Sequence, residues 1–73
     1  MKTYIVRILR EVSYIENLVR DVKNYNALLE NTELPDSTKE SLKNDIRFKI
    51  DMTLDSAHNA RLLTQDFKDN LKD

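Results

Sequence analysis

The stretch Glu30-Asn31-Thr32-Glu33-Leu34-Pro35-Asp36-Ser37 divides the chain into two halves and decides its fold. Pro35 is the only proline, and the 73 residues contain no glycine. Because proline disfavours the helical conformation in the residue before it, a first helix should end by about Asn31. Asparagine suits the left-handed C-terminal cap that glycine would otherwise provide. The sequence therefore predicts one sharp turn between two helices.

A helix start signal follows the proline. Ser37-Thr38-Lys39-Glu40 fits the S-x-x-E capping box, in which serine accepts a hydrogen bond from the glutamate amide and the glutamate reaches back. Asp36 is an alternative cap. We expect helix 1 over about residues 3–31, a turn over 32–36 and helix 2 over about 37–72. So short a link forces the helices to run antiparallel.

Apolar residues on both sides of the turn recur in alternating steps of three and four, which is typical of helices that pack along a coiled-coil seam. In the first half the repeat is Ile5, Ile8, Val12, Ile15, Val19, Val22, Asn26 and Leu29. In the second half it is Ile46, Ile50, Thr53, Ala57, Ala60, Thr64, Phe67 and Leu71. The predicted fold is all-α: residues 1–73 form a single domain, an antiparallel two-helix hairpin that is coiled-coil-like.

The two stripes complement each other in size, because large residues of helix 1 meet small residues of helix 2. The facing pairs that we expect are Ile8 with Ala60, Val12 with Ala57 and Ile15 with Thr53. Asn26 interrupts the first stripe. A buried polar residue there would fix register and oligomeric state, and the alternative is that the helix frays near its end.

Apolar residues outside these stripes predict a surface for a partner. A chain of 73 residues without cysteine has little core and is commonly stabilised by association. We expect a homo-oligomer, with a dimer that forms a four-helix bundle favoured, and a different protein as a further partner. The alternative is that these are ordinary scattered apolar residues. The predicted interface residues are Tyr4, Leu18, Tyr25, Phe48, Met52, Leu62 and Leu63.

The sequence predicts no catalytic residue, no cofactor and no metal site. It has no cysteine and one histidine. Asp51, Asp55 and His58 share one helical face, but a metal site in a bundle needs carboxylates that point inward, and Asp55 is expected to point away from the core stripe. Acid–base catalysis needs a cleft, which a hairpin lacks. We therefore predict a protein that is not an enzyme.

One polar surface of helix 1 has side chains that suit a nucleotide or an RNA loop, because arginine chelates phosphate and tyrosine stacks on bases. Its residues are Arg7, Arg10, Tyr14 and Asn17. The alternative is an ordinary polar face whose arginines pair with neighbouring acids such as Glu11. A net charge of −1 argues against a general nucleic-acid binder. Nucleotide or RNA binding is therefore the second hypothesis, behind protein binding.

No run approaches the roughly 18 apolar residues of a membrane span, and the pattern of a signal peptide is missing. With cysteine absent, a cytoplasmic location without a membrane partner is expected.

In shape, the predicted hairpin resembles the small hairpins that dimerise into four-helix bundles, among them plasmid copy-number regulators that bind paired RNA loops. None of their RNA-contacting residues maps onto this chain. In size it resembles small inhibitors encoded by phages and mobile elements, and its seven asparagines and excess of Lys over Arg are common in AT-rich genomes. The resemblance implies a regulator or inhibitor that acts by binding a macromolecular partner.

Overall fold

A computed structural model describes residues 2–31 and 33–71 and confirms the all-α helical hairpin. Helix α1 spans Lys2–Leu29 and helix α2 spans Asp36–Asp69. The first turn of α1 packs against the last turn of α2, so the helices run antiparallel. The Cα trace forms a rod 60 Å long and 14 × 13 Å across.

The helix bounds differ slightly from the predicted ones. Helix α1 ends at Leu29 rather than Asn31, and α2 ends at Asp69, where the Asn70 amide donates to the Asp66 carbonyl at 3.0 Å and the Phe67 carbonyl at 3.2 Å. These shared hydrogen bonds tighten the last turn and satisfy carbonyls that a helix end leaves open. The predicted end at Lys72, and Thr32 in the predicted turn, lie outside the described residues.

The predicted capping box does not form. The N-cap of α2 is Pro35, with φ −59° and ψ 150°, and no side chain caps the helix. Proline has its φ fixed near the helical value and has no N–H to satisfy, so the helix starts directly after it and Ser37 falls inside the first turn. Asn31 shapes the turn with its side chain, since its Oδ1 accepts a hydrogen bond from the Glu33 amide at 3.0 Å.

The seam between the helices is rotated relative to the predicted one. Buried and half-buried positions in the seam rows of α1 are Tyr4, Ile8, Glu11, Ile15, Leu18, Val22, Tyr25 and Leu29. Those in the seam rows of α2 are Lys39, Leu42, Ile46, Lys49, Thr53, Ser56, Ala60, Leu63 and Phe67. Asp21 and Met52, which border the seam, are half-buried as well. A row here is a set of residues seven positions apart on one helix. Each helix contributes two rows to the seam, of which one was predicted and the other was not. Val12 and Ala57, which were expected to face each other in the seam, are exposed.

Long side chains connect the two helices across this seam. The Tyr4 ring stacks on Phe67, with centroids 5.8 Å apart and planes within 4°. Lys49 Nζ lies 3.2 Å from Asp21 Oδ2 and 5.8 Å from the centroid of the Tyr25 ring. These contacts reach across the seam from positions that an aliphatic repeat does not single out, and they leave the β-branched row of α1 outside.

The core of the hairpin is very small. Among the described residues only Leu18 and Ser56 are buried, with 4% and 6% of their surface exposed. Polar seam positions satisfy themselves locally: the Thr53 hydroxyl donates to the Lys49 carbonyl at 2.7 Å. A rod two helices thick places almost every side chain near water, so a single hairpin gains little from hydrophobic burial.

Candidate interaction surfaces

The two broad sides of the hairpin can be told apart by one contact. The Tyr14 hydroxyl donates to Met52 Sδ at 3.9 Å, which places one flank of α1 and one flank of α2 on the same broad side. Each helix has residues on both sides of the seam. The residues of α1 and α2 that lie on the other side of the seam from Tyr14 and Met52 therefore share the opposite broad side of the hairpin.

That opposite side carries a continuous apolar surface, because the residues beside the seam recur there every seven positions. We call it the apolar face, and its residues are Ile5, Val12 and Val19 of α1 and Ile50, Ala57, Thr64 and Leu71 of α2. Its large side chains are between 39% and 54% exposed. Leu9 and Leu54, at its two edges, are also exposed. Contiguous apolar surface of this kind marks an interaction site more often than scattered residues do.

The predicted interface residues fall into two groups in the structure. Five of them belong to the hairpin itself, being buried or half-buried: Tyr4, Leu18, Tyr25, Met52 and Leu63. Phe48 and Leu62 are exposed, at 64% and 52%, away from the apolar face. The predicted surface had assumed the predicted seam, so the rotation of the seam moves most of these residues inside.

The side that bears Tyr14 mixes charged residues with exposed apolar ones such as Leu62, and it contains an open groove of about 470 Å³. We call it the arginine groove, and it is lined by Arg7, Arg10, Glu11, Asn59, Leu62, Leu63 and Asp66. Two arginines and two carboxylates share this groove, so its formal charge is balanced. The two leucines give it an apolar part against which a partner side chain could pack.

The structure brings together part of the predicted nucleotide-binding set. Arg7 and Arg10 line the arginine groove and also a shallower one of about 350 Å³ beside Lys2. The single ion pair within residues 2–31 and 33–71 joins Lys49 to Asp21, so neither arginine is paired with a carboxylate there. Both guanidinium groups are therefore available to an anionic group of a ligand.

Tyr14 and Asn17 lie outside the groove. Tyr14 is 41% exposed and directs its hydroxyl at Met52 rather than toward the arginines. Asn17 Oδ1 accepts a hydrogen bond from the Arg20 guanidinium at 2.7 Å. The predicted set therefore forms an elongated polar surface rather than one enclosed pocket.

The described part of the chain contains no cluster of three or more His, Asp or Glu residues able to hold a metal ion. Asp51, Asp55 and His58 are exposed. Neither helix, over residues 2–31 and 33–71, combines the length and hydropathy that a membrane span requires.

Comparison with protein-family models, with curated proteins and with solved structures finds no match to this chain. No relative therefore assigns a role to any residue. The apolar face and the arginine groove are the two surfaces from which a function can be derived.

Proposed function

We propose that this chain is a non-enzymatic interaction module of the cytoplasm, which self-associates through the apolar face and binds a macromolecular partner with the surface that remains. Regulation or inhibition, of the kind that phage and mobile-element proteins perform, is the role that we propose for it. The observation that carries this proposal is the apolar face: a hairpin that worked alone would keep these aliphatic side chains in water.

The accessible surface supports self-association. The hairpin exposes 5883 Å², whereas a compact monomer of its mass exposes about 4,700 Å². The excess of about 1,200 Å² is larger than the roughly 800 Å² that each partner contributes to a standard protein interface. A second copy that covered about 800 Å² of each chain would bring the surface per chain to about 5,100 Å², closer to the value of an ordinary folded protein.

The residues between the seam and the apolar face support the same proposal. Ile8, Ile15 and Val22 are only half-buried in a single hairpin. Completing the burial of such side chains stabilises a protein, and full burial of a Val or Ile contributes about 1.5–3 kcal/mol relative to exposure. In a bundle these three residues would point at the common axis and become core.

Two matched variants test the proposal. Val19 on the apolar face and Leu62 in the arginine groove are both 52% exposed. We expect Val19→Glu to reduce the mass in solution to that of one chain, because association would bury the new charge, and Leu62→Glu to keep the wild-type mass. Light scattering reads the mass and circular dichroism checks helicity. If Leu62→Glu dissociates the protein and Val19→Glu does not, the apolar face is not the interface.

RNA binding through Arg7 and Arg10 is a second candidate, which their lack of an ion pair in the described residues favours. Glu11 and Asp66 in the same groove oppose it, because carboxylates repel phosphates. The test is the fluorescence anisotropy of a labelled RNA hairpin at rising salt, since phosphate contacts make affinity fall steeply with ionic strength. Unchanged binding after Arg7→Glu combined with Arg10→Glu would exclude this function.

A further inference from the structure

We propose that two hairpins stack apolar face on apolar face with α1 of each copy lying along α2 of the other, so that both turns are at the same end of the bundle. This arrangement rests on the proposed self-association and specifies its geometry. The occupant of the apolar face is thus a second copy of this chain in one defined orientation.

Two symmetric arrangements are available to a stacked pair of antiparallel hairpins. A two-fold axis along the helices places α1 on α2 of the second copy and keeps the turns together. A two-fold axis across the helices places α1 on α1 and α2 on α2, with the turns at opposite ends. The rows of the apolar face distinguish the two.

Cross-seam contacts fix which residues of α1 and α2 are at the same height. Tyr4 stacks on Phe67 and Asp21 pairs with Lys49, so the heights match near both ends of the hairpin. With the axis along the helices, each residue of the α1 row meets a residue of the α2 row from the same height. The layers that result are Ile5 with Thr64, Val12 with Ala57, Val19 with Ile50 and Asn26 with Lys43.

The three layers away from the turn contain no charged or amide side chain. Val12 meets the small Ala57, Val19 meets Ile50, and Ile5 meets Thr64, which offers a methyl group. With the axis across the helices and the two copies in full overlap, Ile5 would face Asn26 and Thr64 would face Lys43. Val12 would then face Val19, and Ala57 would face Ile50.

The polar end of the apolar face favours the same choice. Toward the turn the two rows continue as Asn26 and Lys43, both exposed in the single hairpin. Turns at the same end bring these two polar residues together and leave every apolar layer apolar. Turns at opposite ends would set Asn26 against the aliphatic rows. If the copies slid along each other to avoid this contact, Leu29 and Ile46 near the turn would lie beyond the second copy and stay uncovered.

One consequence concerns the partner surface. Each arginine groove lies on the side of its hairpin that faces away from the second copy. With the axis along the helices, the two grooves are at the same height on opposite sides of the bundle, near the open end that contains Arg7 and Asp66. The dimer would then offer two equivalent sites to two partner molecules.

Distances between spin labels test the arrangement directly, because the chain has no cysteine and accepts single-cysteine labels. Glu33→Cys labels the exposed turn and Lys2→Cys labels the open end. Neighbouring helices in a bundle are about 8–10 Å apart, so we expect double electron–electron resonance to give about 20–30 Å between the two labels of a dimer for both variants.

The other outcomes are distinct. A distance at Glu33→Cys near the 60 Å length of the rod would overturn the arrangement and leave self-association standing. A short distance at Lys2→Cys combined with a long one at Glu33→Cys would identify the slid arrangement and equally overturn ours. No dipolar coupling between labels, together with the mass of one chain, would overturn both this inference and the proposed self-association.

Discussion

The two broad sides of the hairpin are built by the same two helices, yet they differ in chemistry. The apolar face presents Val12 and Ile50 in rows of aliphatic side chains, while the opposite side presents the arginine groove with balanced charge. Each helix has an apolar arc three positions wide, and a seam between two helices uses only two of them. The third position of both arcs faces the same side, and this supports the proposal that a second copy packs there while the other side stays in water.

The largest effect, a loss of self-association, is expected when charged residues replace aliphatic ones on the apolar face. Val12→Glu combined with Ile50→Glu removes two aliphatic side chains from the proposed interface. The association should become less favourable by at least about 3 kcal/mol. The dissociation constant should rise at least about 100-fold. Sedimentation equilibrium measures it, with Phe48→Glu, outside the apolar face, as control. An unchanged constant in the double variant would mean that the two sides do not differ in function.

A smaller effect, on the free energy of unfolding, is expected from a substitution in the seam between the two helices. Leu18→Ala removes the most buried apolar side chain. We expect a loss of about 2 kcal/mol in the free energy of unfolding, at the lower end for Leu→Ala because a thin rod collapses easily around the cavity. Leu62→Ala, at an exposed position, should change it by less than about 0.5 kcal/mol. Urea unfolding at one fixed protein concentration compares them, and equal losses would contradict the seam described above.

The smallest effect concerns the ion pair between Lys49 and Asp21. The two side chains are 23% and 44% exposed, so water and salt screen their attraction. A double-mutant cycle with Asp21→Asn and Lys49→Met should give a coupling of less than about 1 kcal/mol that falls as salt is added. A larger coupling that does not depend on salt would show that charges, and not only the apolar rows, stabilise the hairpin.

The hairpin could be predicted from the sequence because its signals are local. Pro35 interrupts a chain without glycine, and the alternating steps of three and four on either side of it predict helices whatever their partner. The start of α2 was predicted one residue late, since the capping box at Ser37 competes with a proline that opens a helix by itself.

The seam could not be predicted to the correct row, for a physical reason. Each helix has three adjacent apolar rows, and a seam uses two neighbouring ones, so two different seams are possible. The seam with more aliphatic residues is the one that the sequence repeat predicts. In the seam that forms, Tyr4 stacks on Phe67 and Lys49 pairs with Asp21. Such contacts between helices are a property of the folded pair, and the aliphatic repeat does not indicate them. The apolar face could have been found from the sequence, because the apolar arc of each helix is three rows wide and a two-helix seam covers only two rows. Reading only the alternating repeat of three and four hides this third row.

The central claim is that the apolar face is covered by a second copy, and the mass of the wild-type chain in solution tests it most directly. Light scattering over a dilution series, with circular dichroism in parallel, should give twice the 8.6 kDa mass of the chain, falling toward that mass with loss of helicity only at high dilution. A fully helical species of 8.6 kDa at every concentration would contradict the claim.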